Sequence, residues 1–252
     1  MKNKHFKNLV TFIICFIFML NITDFSISAQ TPNVQLYSTI IGTGQHYDHG
    51  RAVYTYYTTG YIYVNNLNSN KKVSVHYTYD GINWLDQPAT YLKTLKNGSE
   101  VWSYRTPDHP YAAMSRDCTY NCRFAIKYEV NGNTYWDNNN GQDYFIQYSN
   151  NRYNAPYILS KSVVTLHYPL GTYSGRNYLY LKDLGPDKSV KVRYTADNWL
   201  TYKEINASHF ISYDNNVEEW YFDLDKKYEF AIGYTVNGIT YWDNNFESNY
   251  KK

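Results

Sequence analysis

The chain repeats itself. Residues 124–139 read FAIKYEVNGNTYWDNN and residues 230–245 read FAIGYTVNGITYWDNN, identical at 13 of 16 positions at an offset of 106 residues. Chance does not produce such a match, so whatever this sequence folds into, it builds twice. Upstream the correspondence continues more loosely: Tyr63 answers Tyr180, Trp84 answers Trp199 and Trp102 answers Trp220. With Trp136 and Trp242, all 6 tryptophans fall into matching pairs. The 252 residues therefore divide into a first module over 30–150 and a second over 151–252, sizes ordinary for single domains. A polar stretch ending in Pro156 joins them. The step from Trp102 to Phe124 is 22 residues against 10 from Trp220 to Phe230, so the first copy carries an extra loop containing Pro107, Pro110, Cys118 and Cys122.

The hydrophobic period is that of strands. Phe124, Ile126, Tyr128 and Val130 alternate with Ala125, Lys127 and Glu129, and Phe230, Ile232, Tyr234 and Val236 do the same. Val73, Val75 and Tyr77, and likewise Val190, Val192 and Tyr194, alternate with polar residues. Asn131-Gly132 and Asn237-Gly238 are hairpin turns, because both residue types accept positive φ. No helical face is visible. Several short strands per hundred residues predict an all-β chain of two tandem β-sandwiches.

The first 29 residues read differently from the rest. Lys2, Lys4 and Lys7 precede an apolar run from Leu9 to Leu20, followed by the small residues Ser26, Ser28 and Ala29. That order is the pattern of a secretory signal peptide cut near Ser28 or Ala29, and the run is short of the ~20 residues that span a bilayer. A secreted mature protein with no membrane span is expected. In that compartment Cys118 and Cys122 are a candidate disulfide. Asn97-Gly98-Ser99 and Asn206-Ala207-Ser208 are glycosylation sequons, which must then lie on the surface.

Charge excludes one class of partner. The 24 basic residues are scattered among 22 acidic ones for a net charge of +2, whereas a nucleic-acid binder needs a concentrated basic surface. Aromatic residues make up 19%, including 31 Tyr. Tyr suits both pleated sheets and ligand-touching surfaces, so composition alone leaves the two uses open.

The candidate recognition residues sit where the repeat is strongest. Tyr-Trp-Asp-Asn-Asn follows the hairpin in both copies, and five such residues in a row cannot all be core. The faces of Trp136 and Trp242 suit the C–H face of a pyranose ring, and neighbouring amides can exchange hydrogen bonds with sugar hydroxyls. Trp84 and Trp199 fall in turn-like sequence after a strand, again an exposed setting. Trp102 and Trp220 fall within strands and are expected in the sandwich core. Glycoside hydrolysis needs a pair of carboxylates, and the repeated aromatics are accompanied only by single Asp137 and Asp243, expected to cap turns. His46-Tyr-Asp48-His49 has a spacing that metal ligands can use but no counterpart in the second copy. No catalytic residue, metal site or cofactor is assigned.

These residues resemble the starch- and glycogen-binding modules of carbohydrate-binding module family 21. Tyr61 through Asn66, Lys71 through Val75 and Phe124 through Asn140 look like the type found in certain glucoamylases. Val192 through Thr195, Trp199 and Tyr241 through Tyr250 look more like the type found in glycogen-targeting phosphatase subunits. The resemblance implies immunoglobulin-like sandwiches binding α-glucan at two sites per module. Its first site maps onto Trp84, Trp136, Asn138 and Asn140, and onto Trp199, Trp242, Asn244 and Asn249. A third aromatic of that site falls on Ala125 and Ala231, and Phe246 replaces Asn140 in the second copy. Its second site maps onto Asn66, Lys71 and Lys188, with its aromatics falling on Ser69, Pro186, Ser99 and Val217.

The expected function is that of a secreted, non-catalytic binder of starch- or glycogen-like α-glucan. The alternatives are a surface or host-interaction protein for other glycans, a glycoside hydrolase, and a phosphatase-targeting scaffold. The last would need an exposed docking segment, and the nearest match, Lys191-Val192-Arg193-Tyr194, reads as a strand with Val192 and Tyr194 inward.

Overall fold

A computed structural model describes residues 32–110, 120–148, 155–167, 176–224 and 228–251, except for the side chains of His46, Asp48, Arg51 and Pro110. The expected signal peptide (1–29), Cys118 and the paired side chains of the His46–Asp48 motif lie outside these residues. The first repeat contains β1 (Val34–Asp48), β2 (Arg51–Val64), β3 (Lys71–Thr78), β4 (Leu85–Pro88), β5 (Thr90–Thr94), β6 (Glu100–Arg105), β7 (His109–Pro110), β8 (Tyr120–Val130), β9 (Asn133–Asp137) and β10 (Tyr144–Tyr148). The second contains β11 (Tyr157–Leu159), β12 (Val164–Leu166), β13 (Arg176–Lys182), β14 (Lys188–Thr195), β15 (Lys203–Asn206), β16 (Ser208–Ser212), β17 (Val217–Asp223), β18 (Glu229–Val236), β19 (Ile239–Asp243) and β20 (Tyr250–Lys251). The described residues are all-β, and none of their elements is a helix long and apolar enough to cross a membrane.

Four antiparallel sheets result. The order β1-β2-β6-β5 in the first repeat is matched by β12-β13-β17-β16 in the second, and β8-β3-β4 by β18-β14-β15. Strands alternate as the sequence predicts, so each pair of sheets closes over one core. Val34, Leu36, Ile62, Val64, Val75, Phe124, Ile126 and Tyr128 fill the first. Leu166, Leu179, Leu181, Val192, Phe222, Phe230, Ile232 and Tyr234 fill the second. Asn131 and Gly132, like Asn237 and Gly238, hold positive φ at the β8–β9 and β18–β19 turns. The halves are two β-sandwiches.

Two features add to the sequence reading. β11, numbered with the second repeat, pairs with β1 through Ser38↔Leu159 and Ile40↔Tyr157 and so completes the first sandwich's sheet. Cys122 is a buried free thiol on β8, and burial pushes its pKa up to about 11. The alternation that buries Phe124 and Ile126 turns Cys122 into the core.

Asp137 and Asp243 do more than cap turns. Each carboxylate accepts a backbone N–H from the opposite sheet, Leu36 to Asp137 at 2.6 Å and Leu166 to Asp243 at 3.0 Å. Each also accepts a tyrosine hydroxyl, Tyr144 at 2.9 Å and Tyr250 at 2.6 Å. In each sandwich the pair of sheets is clasped at one end by an acid, half-buried at Asp137 and buried at Asp243.

Burial pushes the pKa of Asp243 up from 3.8 to about 6. A folded-state pKa above the unfolded one means the fold prefers the neutral acid. Its contribution is complete below about pH 4 and lost as pH rises through 6, a change on the order of 3 kcal/mol. Urea unfolding at pH 4 and pH 7 tests this. Asp243→Asn, which cannot ionise, shrinks the fall in stability between the two by about that amount.

Candidate glucan-binding site

The outer face of the sheet carrying β3, β8 and β9 displays Trp136, paired across the ladder with Lys127. Its indole is 46% exposed, and the Lys127 ammonium stands 5.8 Å from the ring centroid. Trp84 reaches the same face from the turn after β3. There Asp80 accepts the N–H groups of Ile82 and Asn83 at 2.8 Å, and these bonds hold its carboxyl well below the usual range. Between the tryptophans stands His76 of β3. Its ring stacks on Trp84 at 4.8 Å and 13° and meets Trp136 edge-on at 5.6 Å. Nδ1 of His76 bonds Asp86 at 2.6 Å, and Asp86 also takes Lys127 at 3.3 Å.

The sequence assigned His76 no role. A polar residue on an outward strand position says nothing about what stands beside it. Ala125, opposite His76 in the register, is buried beneath this surface and provides no ring, so the imidazole takes the place between the tryptophans.

The second sandwich builds the same face from different parts. Trp242, also 46% exposed, pairs with Gly233, where a Cβ would stand 3.1 Å from the indole. The ring thus lies against bare backbone. Arg193 takes the place of His76, its guanidinium 4.8 Å from the centroid of Trp242 and 4.3 Å from that of Tyr202. Glu204 fixes it through Nε at 3.0 Å and Nη2 at 2.9 Å. Trp199, half-buried, donates its indole N–H to Glu229 at 2.6 Å, and the Asn249 amide donates to the same oxygen at 2.8 Å. Those bonds lower the pKa of Glu229. Trp84 and Trp136 are therefore joined by one ring, whereas Trp199 is joined to Asn249 by a carboxylate and Trp242 to Tyr202 by a guanidinium.

Asn138 and Asn244 shape the loop after each platform. Asn138 Oδ1 accepts the N–H of Gly141 at 2.9 Å and Asn244 Oδ1 that of Glu247 at 3.0 Å. Asn140 holds left-handed backbone in the first loop, and Phe246 does so in the second. The Phe246 ring does not join the aromatic platform of the second sandwich: it packs on Tyr37 and Tyr61 of the first.

At the other expected site, Lys71 donates to Asn66 at 2.5 Å and to Glu100 at 2.7 Å. The side chains of this ion pair are only 5% and 7% exposed. Glu100 in turn accepts the indole N–H of Trp102 at 2.9 Å. Tyr91 crosses Trp102 edge-on at 5.7 Å, and with Asn66 and Ser69 these residues line a surface groove. Trp102 therefore packs against the core only partly buried, its indole N–H turned to Glu100 and its ring met by Tyr91. Tyr91 supplies the exposed ring that Ser69 and Ser99 do not. The sequence hid it, since a bulge between Tyr91 and Lys93 breaks the alternation of β5. The second sandwich repeats the set with Lys188 bridging Asp183 and Glu218, Trp220 on Glu218, and His209 against Trp220 at 5.7 Å.

The sequon residues Asn97 and Asn206 are both exposed. Val192 is fully buried and Tyr194 packs against the core, so the docking-like segment 191–194 is a central strand with those side chains inward.

The family model described as carbohydrate/starch-binding module (family 21) matches residues 47–147 and again 175–252. The chain belongs to family 21. Its two matched segments fall on the two sandwiches. Among similar proteins, protein phosphatase 1 regulatory subunit 3C of Rattus norvegicus is 33% identical over 81 residues, 28% of this chain and 26% of that protein. Glucoamylase 1 of Rhizopus oryzae is 32% identical over 102 residues, 38% of this chain and 17% of that protein. The chain thus spans about a quarter or less of the length of these relatives. The starch-binding domain of the same glucoamylase, solved with beta-cyclodextrin and maltoheptaose, is 27% identical at a TM-score of 0.32, covering 46% of this chain and 94% of that one. As family 21 modules, the two sandwiches belong to a family of carbohydrate- and starch-binding units.

Proposed function

We propose that this chain is an exported, non-catalytic α-glucan binder that uses both sandwiches on one polymer or granule surface. The observation that carries this reading is the pair Trp136 and Trp242, equally exposed at the same place on the outer sheet face of each sandwich. An indole face of that kind binds the C–H face of glucose, and two linked weak sites gain about 10²–10⁴ in avidity when both engage. Export rests on the charged and apolar order of residues 1–29. The absence of catalysis rests on the acids beside the platforms. Asp86, Glu204 and Glu229 are hydrogen-bonded so that their pKa values are lowered, whereas a glycosidase acid needs its pKa raised. Asp243, whose pKa is raised, is buried and bonded inward to Leu166 and Tyr250, away from the exposed indole face.

Co-sedimentation of the purified protein with granular starch tests the reading. The protein leaves the supernatant with the granules, soluble maltoheptaose releases it, and no reducing sugar appears during incubation. Retention that maltoheptaose cannot compete away points to another glycan. Steady release of reducing sugar makes the protein an enzyme.

A further inference from the structure

The loop that closes the first site is built alike in both sandwiches but from unlike residues. In the first it holds positive φ at Asn139, Asn140, Gly141 and Asp143, residue types that accept such backbone. In the second the same conformation falls on Asn245, Phe246, Glu247 and Asn249. A phenylalanine and a glutamate in left-handed backbone are strained, and such strain persists only where the surroundings over-determine it.

The surroundings belong to the first sandwich. Phe246 places its ring 4.8 Å from Tyr37 and 5.0 Å from Tyr61, on the outer face of β1 and β2. Lys93 of β5 donates to the Phe246 carbonyl at 2.5 Å and to Ser248 Oγ at 2.7 Å. The backbone N–H of Lys96 donates to the Glu247 carboxylate at 3.0 Å. The gripped segment runs directly into Asn249, which shares Glu229 with the Trp199 indole.

We infer that the first sandwich positions the first glucan site of the second: Lys93 and Phe246 are positioning residues that hold the loop carrying Asn249, and through Glu229 they orient Trp199. The inference rests on the proposed glucan-binding role of that loop. It makes the two modules unequal. The first module's loop is self-sufficient, with Asn140 and Gly141 where Phe246 and Glu247 stand in the second. The second module's site is complete only when docked.

The test uses the full chain, with one platform silenced at a time. In a Trp136→Ala background, Lys93→Met lowers affinity for maltoheptaose roughly 3- to 10-fold, the scale of leaving one or two site side chains to be ordered on binding. In a Trp242→Ala background the same change leaves affinity unaltered. Phe246→Asn, which removes the wedge while suiting the left-handed backbone, repeats the asymmetry without loss of folding. Hydrogen exchange without ligand gives an independent readout. The amides of Ser248 and Asn249, bonded to Asn244 at 3.1 and 2.6 Å, exchange faster in both variants. If the Trp136→Ala protein binds no maltoheptaose, the glucan reading of the second module fails, and the exchange rates alone decide the positioning claim. Unchanged exchange, or equal weakening in both backgrounds, overturns it.

Discussion

Replacing Trp136 and Trp242 together by alanine brings retention on granular starch down to background, while each single replacement leaves a weaker, measurable interaction. Each indole presents a flat face at 46% exposure, and neither is buried in its core. Removing one leaves the other sandwich able to bind, so the loss is mainly that of simultaneous engagement, roughly 10²- to 10⁴-fold in apparent affinity. Removing both leaves the His76–Trp84 stack in one half and the Arg193–Tyr202 pair in the other, each without its exposed indole. Depletion of the four proteins from solution at increasing starch concentration gives the comparison. Equal retention by all four would falsify the assignment of these platforms.

The second large effect concerns stability. Lys71→Met strands the Glu100 carboxylate, which is nearly inaccessible to water. Breaking one partner of a buried pair costs about 3–5 kcal/mol, whereas replacing both by apolar groups of similar size is often close to neutral. The expected result in urea unfolding is a fall of that size for Lys71→Met and recovery of most of it in Lys71→Met/Glu100→Met. The double variant still loses glucan affinity at this groove if Lys71 also contacts sugar, because Asn66 and the Trp102 indole both lose their hydrogen-bond partner. An unperturbed unfolding curve for the single variant would show that water reaches the pair freely.

The fold was legible because its signals are local. The alternation through Phe124, Ile126 and Tyr128, and the Asn-Gly turns that follow, each specify their own geometry without reference to distant residues. The outward setting of Trp136 and Trp242 was legible for a similar reason, since polar residues follow each of them. What escaped depends on neighbours across space. His76 and Arg193 acquire meaning only from the rings on either side. A bulge masks Tyr91, and a strand pattern does not reveal that the Trp102 indole is drawn to the Glu100 carboxylate and stays only partly buried. Phe246 at the contact between sandwiches could not be found from either copy alone, because neither copy encodes how the two meet.

The pairing of β11 with β1 carries a further consequence. An outermost strand offers its unmatched amides and carbonyls to any extended peptide nearby, which is how sheet proteins come to stick to one another. Here the polypeptide that leaves the first sandwich lays Tyr157–Leu159 along that rim before entering the second. The start of the second repeat thus guards part of an otherwise adhesive border of the first.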